Sequence, residues 1–229
     1  LLMGNICIIP ARGGSKRIPK KNIKDFNGKP IISYIIEAAQ KSNNFDEIMV
    51  STDSKEIEEV AKKYGAKVPF LRSNSNANDF ATLADVLVEV LAEYIKEGKT
   101  FENICCFLPT AALITPEKIT EAYKTYLDGN FSSVVPVIRF AYPIQRAFKE
   151  EAGLIKLREE KHVNTRSQDL ETYYHDAGQF YWINTKEFLL EKKIFTNITG
   201  FVELKEYEAQ DVDTPEDWIM LELKYNLKK

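Results

Sequence analysis

The chain has 229 residues, 44% hydrophobic and 28% charged, enough for one domain with a single sizeable core. Its net charge is −3, from 31 Lys and Arg against 34 Asp and Glu, so it is no nucleic-acid binder by bulk charge, and any anion it holds must meet a local basic cluster. Three cysteines (Cys7, Cys105, Cys106) in apolar runs and two isolated histidines (His162, His175) argue against a disulfide framework and a zinc site.

Residues 6–10 (ICIIP) read as a buried strand. Pro30 opens a helix, with Ile31, Ile32, Ile35, Ile36 and Ala39 at helical spacing. Residues 47–52 form a second strand, and Asp53 is placed to cap a helix that Gly65 stops. Residues 66–71 read as a third short strand, followed by a long helix from about residue 80 to 96. Residues 103–108 make a fourth strand. Thr115 and Pro116 start another helix, closed by Gly129, and residues 132–137 are a fifth strand. Strands separated by helices imply parallel crossovers and an α/β, doubly wound, mostly parallel sheet. After residue 138 the segments become short, aromatic and strand-like, at 138–148, 154–157, 179–183 and 201–205. Thr214, Pro215 and Asp217 then open a last helix. No Pro/Gly/Ser-rich linker divides residues 1–229, so one domain is expected. With no basic-then-apolar leader and no apolar run of about 20 residues, a cytoplasmic location is expected.

The segment Pro10-Ala11-Arg12-Gly13-Gly14-Ser15-Lys16-Arg17-Ile18-Pro19-Lys20-Lys21-Asn22 directly follows the first strand, where open α/β sheets bind ligands. Its two glycines let backbone N–H groups approach a ligand. Five basic residues within ten positions suit a triphosphate. The loop is neither G-x-G-x-x-G nor a Walker A loop, which disfavours a dehydrogenase or an ATPase. Its alternative reading is a solvated basic loop.

This opening motif, A-R-G-G-S-K-R-I-P-x-K-N followed by Gly28-Lys29-Pro30, resembles that of the cytidylyltransferases for sialic, pseudaminic and related nonulosonic acids. The resemblance extends over nearly the whole chain. It implies a nucleotide-diphospho-sugar transferase-like, Rossmann-like fold. It implies that Ala11, Arg12, Gly13, Ser15 and Lys21 surround the CTP phosphates and that Asn22 meets the nucleotide, with Arg12 and Lys21 stabilising the departing pyrophosphate. Ser51-Thr52-Asp53 matches the family's S-T-D. Arg72, Ala77, Asn78, Asp79 and Thr82 are similar to its R-P-x-x-L-A-x-D-x-A-x-T segment, which reads base and ribose, although Ser73 stands where proline is usual. An alternative reading of Asn78 or Asp79 is a cap for the helix that follows. Leu108-Pro109-Thr110 matches a Q-P-T motif, with leucine in place of the glutamine that helps recognise cytosine.

Further on, His175-Asp176-Ala177-Gly178-Gln179-Phe180-Tyr181-Trp182 and the earlier Arg166-Ser167-Gln168-Asp169-Leu170 resemble the pseudaminic acid branch of the family. A nonulosonic acid offers a carboxylate, hydroxyls and acylamino groups. Arg166 and Arg146 are candidates for the carboxylate, Gln179 for amides or hydroxyls, and His175 for the active site or simply a packed polar position. Asp211-Val212-Asp213-Thr214-Pro215-Glu216-Asp217 resembles the family's D-x-D-T-x-x-D. Residues two apart on an extended segment project to one side, so Asp211 and Asp213 would converge on Mg²⁺. The alternative, an acid before a helix N-terminus, explains one aspartate but not the pair. The resemblance implies CMP transfer from CTP to a nine-carbon acid sugar and a homodimer, with about residues 138–178 as an inserted dimerisation and sugar-binding extension. The rival readings are another acid sugar (sialic, legionaminic or Kdo) and a non-catalytic nucleotide-binding module.

Overall fold

A computed structural model describes residues 1–227. The elements in chain order are β1 (Leu2–Pro10), a small antiparallel pair β2 (Asp25–Phe26) and β3 (Lys29–Pro30), α1 (Ile31–Ser42), β4 (Glu47–Ser51), α2 (Lys55–Lys63), α3 (Leu83–Lys96), β5 (Thr100–Phe107), α4 (Pro116–Asp128), β6 (Ser133–Arg139), β7 (Phe148–Glu151), β8 (Leu154–Leu157), β9 (Tyr174–Asp176), β10 (Phe180–Asn184), α5 (Thr185–Glu191), β11 (Thr199–Leu204) and α6 (Pro215–Asn226). The main sheet has the order β11-β6-β10-β5-β1-β4, with β9 also paired to β6.

β1 is apolar and buried from Ile6 to Pro10 because both of its faces are covered there. Cys7 and Ile9 join the core beneath α1, α2 and α4, while Ile6 and Ile8 join the core beneath α3 and α5. β4 and β5 flank it in parallel. β10 runs antiparallel to β5 and β6, so its start, rather than its end, reaches the carboxyl edge of the sheet.

The caps at Thr115 and Thr214 form as expected, with each side chain accepting from the amide three residues on. Asp217 completes a capping box with Thr214. Four local expectations are corrected. Residues 66–71 yield only an isolated bridge, Lys67 to Met49, because Pro69 lacks the N–H a ladder needs. Asp53 does not cap α2, whose N-cap is Ser54. The long helix starts at Leu83, since Thr82 and Asp85 form a reciprocal capping box. Asn78 Oδ1 instead accepts from the amides of Phe80 and Ala81, an Asx turn ahead of the helix. Residues 138–148 are not one strand: β6 ends at Arg139 and a 3₁₀ turn occupies Ile144–Arg146 after Pro143.

Between β6 and β9 the chain leaves the main sheet. β7 and β8 pair only with each other around Ala152 and Gly153, both at positive φ. Among the described residues, no helix is long and apolar enough to cross a membrane.

Candidate active site

A cleft of about 600 Å³ opens at the carboxyl edge of β1, β4 and β5. Arg12, Ser15, Lys16, Lys21 and Asn22 from the loop after β1 line one part of it. Arg72, Asn78, Asp79, Thr110, Asp211 and Asp213 complete it. Residues far apart in sequence meet here because the segments after β1, β5 and β11 and the one between α2 and α3 converge on this edge.

The loop is held from below. Asn22, 5% exposed, donates from Nδ2 to the Arg12 carbonyl at 2.9 Å. The Ala11 amide donates to Ser51 O at 2.9 Å, and the Gly13 amide donates to Asp53 Oδ1 at 2.8 Å. Sequence reasoning assigned Asp53 to a helix cap and so missed its part in holding the loop; its place in the S-T-D string at the end of β4 was the available signal. Lys20 adopts a left-handed conformation (φ 52°), which starts the short 3₁₀ turn carrying Lys21 and Asn22.

The cations of the loop reach both lips of the cleft. Arg12 Nη1 lies 2.8 Å from Asp79 Oδ1 and donates to the Asn78 carbonyl at 2.8 Å. Lys16 also pairs with Asp79. Lys16 first, and then Arg12, hold the Asp79 carboxyl below the usual aspartate range. On the other lip Arg17 Nη2 lies 2.9 Å from Asp213 Oδ1, Lys21 Nζ lies 3.5 Å from the same oxygen, and Lys21 donates to the Val212 carbonyl. Arg17 and Lys16 were counted in the basic cluster but given no role from sequence. Arg72 is buried in the cleft wall, donating through Nε to Ser51 Oγ at 3.0 Å and through Nη2 to the Ser51 carbonyl. Burial draws its pKa down, offset by the nearby charges of Asp53 and Glu89.

Asp211 is exposed to the cleft yet enclosed by its walls. That enclosure, and next the like charge of Asp213, push its carboxyl up. A hard cation beside this pair would relieve the crowding, and carboxylate oxygens are the donors Mg²⁺ prefers, so the residues present fit that ion. Among the described residues no three His, Cys, Asp or Glu side chains gather as a metal cluster. The pair would therefore share the ion with substrate phosphate and water.

Several expected site residues lie elsewhere. Ala77 closes a 3₁₀ turn, Ala11 is wholly buried, and neither lines the cleft. Gly13 approaches Ser54, where an added Cβ would stand 3.0 Å from Ser54 Cβ. Arg146, Arg166 and His175 are exposed and do not line the cleft of this chain. Arg146 Nη1 donates to Ser167 Oγ at 3.2 Å, Arg166 Nε to Asp169 Oδ2 at 2.7 Å, and His175 packs edge-on against Phe140. Gln179, expected at sugar amides or hydroxyls, is 1% exposed and turned toward backbone carbonyls.

Basic loop, buried arginine and acid pair around one cleft, on a mainly parallel sheet in which β9 and β10 are reversed, are the frame of a nucleotidyltransferase. In fold the chain matches CMP:2-keto-3-deoxy-manno-octonic acid synthetase complexed with CTP, with a TM-score of 0.70 at 18% identity over 99% of this chain and 100% of that one. It also matches a 4-diphosphocytidyl-2C-methyl-D-erythritol synthase from Anaerococcus prevotii, with a TM-score of 0.64 at 14% identity over 99% of each chain. Sequence narrows the class. A cytidylyltransferase family profile matches residues 6–222, and the chain belongs to that family. It is 41% identical to the pseudaminic acid cytidylyltransferase of Campylobacter jejuni serotype O:2, over 98% of this chain and 97% of the relative. It is 33% identical to the CMP-N,N'-diacetyllegionaminic acid synthase of Legionella pneumophila, over 95% of this chain and 94% of the relative.

Proposed function

We propose that this cytidylyltransferase transfers CMP from CTP to the anomeric hydroxyl of pseudaminic acid, releasing pyrophosphate and giving CMP-pseudaminic acid. One observation carries the chemistry: the basic loop and the Asp211/Asp213 pair share a single cleft, with Arg17 2.9 Å from Asp213. The 41% identity to a pseudaminic acid enzyme, against 33% to a legionaminic acid enzyme, supports the choice of sugar.

In the reaction the sugar oxygen bonds to the α-phosphorus of CTP. The bond from that phosphorus to the oxygen bridging to the β-phosphate breaks, and pyrophosphate leaves with the electron pair. The hydroxyl proton passes to a carboxylate oxygen of Asp211 or Asp213. Arg12, Lys16 and Lys21 exchange their carboxylate and carbonyl partners for phosphate oxygens and stabilise the charge gathering on the leaving group. Arg12 does so with a forked donor set, Lys21 as a point charge. Arg72, fixed in the wall, adds a cation that needs no reorganisation. When bound at Asp211 and Asp213, Mg²⁺ supplies neutralisation of phosphate charge and lowers the pKa of the attacking hydroxyl.

The active unit on this reading is a homodimer in which residues 138–178 of one copy lie over the cleft of the other. The exposed Phe148, Leu154 and Ile155 of the β7–β8 hairpin support this, since a lone two-stranded hairpin has little stability in water. The three buried free thiols suit a reducing cytoplasm. The test is pyrophosphate release with CTP, Mg²⁺ and a panel of acid sugars. Pseudaminic acid is expected to turn over at least about tenfold faster than legionaminic, sialic or Kdo substrates, a gap of roughly 1.4 kcal/mol. Faster turnover of another sugar reassigns the substrate, and CTP binding without turnover of any sugar rejects the enzyme reading.

A further inference from the structure

β9 and β10 run along β6 as one line with an interruption. Asp176 stands opposite Val137, and Trp182 opposite Val134. Three steps along β6 are thus matched by six on the other side, which leaves three extra residues in a bulge around Ala177, Gly178 and Gln179. Because β10 runs antiparallel to β5, this bulge at its start sits at the carboxyl edge, beside the segment that carries Asp211.

Two side chains grip the bulge. Asp176 Oδ1 accepts from the Gly178 amide at 2.9 Å, and its Oδ2 accepts from the Tyr181 hydroxyl at 2.7 Å. Gln179 Nε2 lies within donating distance of three carbonyls: Ala177 O at 2.9 Å, Gly178 O at 2.8 Å and Gln210 O at 3.2 Å. These three acceptors fix the amide's orientation, since the flipped amide would set oxygen against oxygen. They leave Gln179 Oε1 buried without a partner. A buried acceptor left alone is unfavourable, so an amide here serves the carbonyl contacts rather than core stability. The farthest of those carbonyls, on Gln210, belongs to the peptide directly before Asp211.

Gly178 supplies the other half of the arrangement. Its φ is +59°, and an added Cβ would stand 3.3 Å from Asp211 Cγ and 3.5 Å from Oδ2. A side chain at residue 178 would therefore crowd the Asp211 carboxyl, most tightly at Cγ.

We infer that Gly178 and Gln179 are positioning residues that seat the Asp211 carboxylate, Gly178 by leaving room for it and Gln179 by tying down the backbone before it. Gln179 thus acts on the reaction through Asp211 rather than by contact with the sugar. The inference rests on the reading of Asp211 as a carboxylate of the reaction.

The test compares Gln179→Met, which keeps length but has no donor, and Gly178→Ala with the full-length wild-type chain. Four quantities are measured: melting temperature, CTP affinity without metal, Mn²⁺ affinity in the presence of CTP by electron paramagnetic resonance, and kcat with KM for CTP. Both variants are expected to bind CTP without metal within about threefold of wild type, yet to lose about tenfold or more in Mn²⁺ affinity and about 10–100-fold in kcat. KM for CTP stays close to wild type. Mn²⁺ affinity and kcat within threefold of wild type in both variants overturn the inference. So does loss of metal-free CTP binding together with a collapsed melting temperature in both, which marks a purely structural role. Asp211→Asn is run in parallel. Full activity there rejects the role of Asp211 itself, whereas its loss beside two unaffected seat variants rejects only the seat.

Discussion

Ile6, Ile8 and Ile9 in the nucleotide half are wholly buried, whereas Phe148, Leu154 and Ile155 in the extension are 67%, 64% and 71% exposed. The charges differ in the same way. Arg12 finds Asn78, 66 residues on, and Lys21 finds Val212, 191 residues on. Arg166 pairs with Asp169 three residues away, and Lys149 and Lys156 both pair with Glu151. The first region closes a site within its own chain. The second has ion pairs that are local and exposed, of a kind that contributes little to stability.

The sharpest break in that contrast is expected at the acid pair. Asp211→Asn should lower the rate of pyrophosphate release about a thousandfold, roughly 4 kcal/mol of transition-state stabilisation, with an unchanged circular dichroism spectrum. It should also raise the melting temperature at pH 7–8. The raised carboxyl of Asp211 favours the folded state while protonated, below the usual aspartate range, and that contribution is lost as pH rises through the raised value. The gain over wild type should therefore shrink toward pH 4, and a melting temperature that falls at every pH contradicts the account. Next, Arg12→Ala should cost about a hundredfold in kcat/KM for CTP, the scale of losing one charged donor at a developing anion. A loss under threefold would take Arg12 out of the phosphate cradle.

Effects in the extension should be smaller and of another kind. Leu154→Asp with Ile155→Asp should turn a dimer into a monomer by sedimentation, lower activity about tenfold, and leave the melting temperature within a few degrees, since neither side chain packs in the core. An unchanged dimer would place the interface elsewhere. Smallest is Asp53→Ala, which removes the acceptor for the Gly13 amide and should raise KM for CTP about fivefold, near 1 kcal/mol. No change in KM would mean that the loop holds its shape without this bond.

What the sequence disclosed follows the same division. Buried strands and capped helices were legible outside the extension, because two covered faces demand apolar runs and Thr115-Pro116 or Thr214-Pro215 mark helix starts. The cleft was legible through its loop and its D-x-D string. Asp53 was misread because an acid before a helix suits a cap as well as a loop anchor. Gln179 was misplaced because a bulge shifts which side chains turn inward, and no alternation pattern encodes one. α5 was missed: it is only seven residues long, too short for a periodic signal to stand out. The short β9 depends on pairing with β6, far off in sequence, which local residues do not announce.

The two carboxylates facing the basic loop give the cleft the character of an ion exchanger. Asp79 and Asp213 already occupy Arg12, Lys16, Arg17 and Lys21, from opposite lips. An arriving anion must trade places with them rather than fall onto naked positive charge. A lone chloride or orthophosphate has too few oxygens or too little charge to replace both at once, but a triphosphate chain can span from one lip to the other. On the proposed reading, preference for a long anion over a small one follows from these ion pairs, before any base or sugar is read.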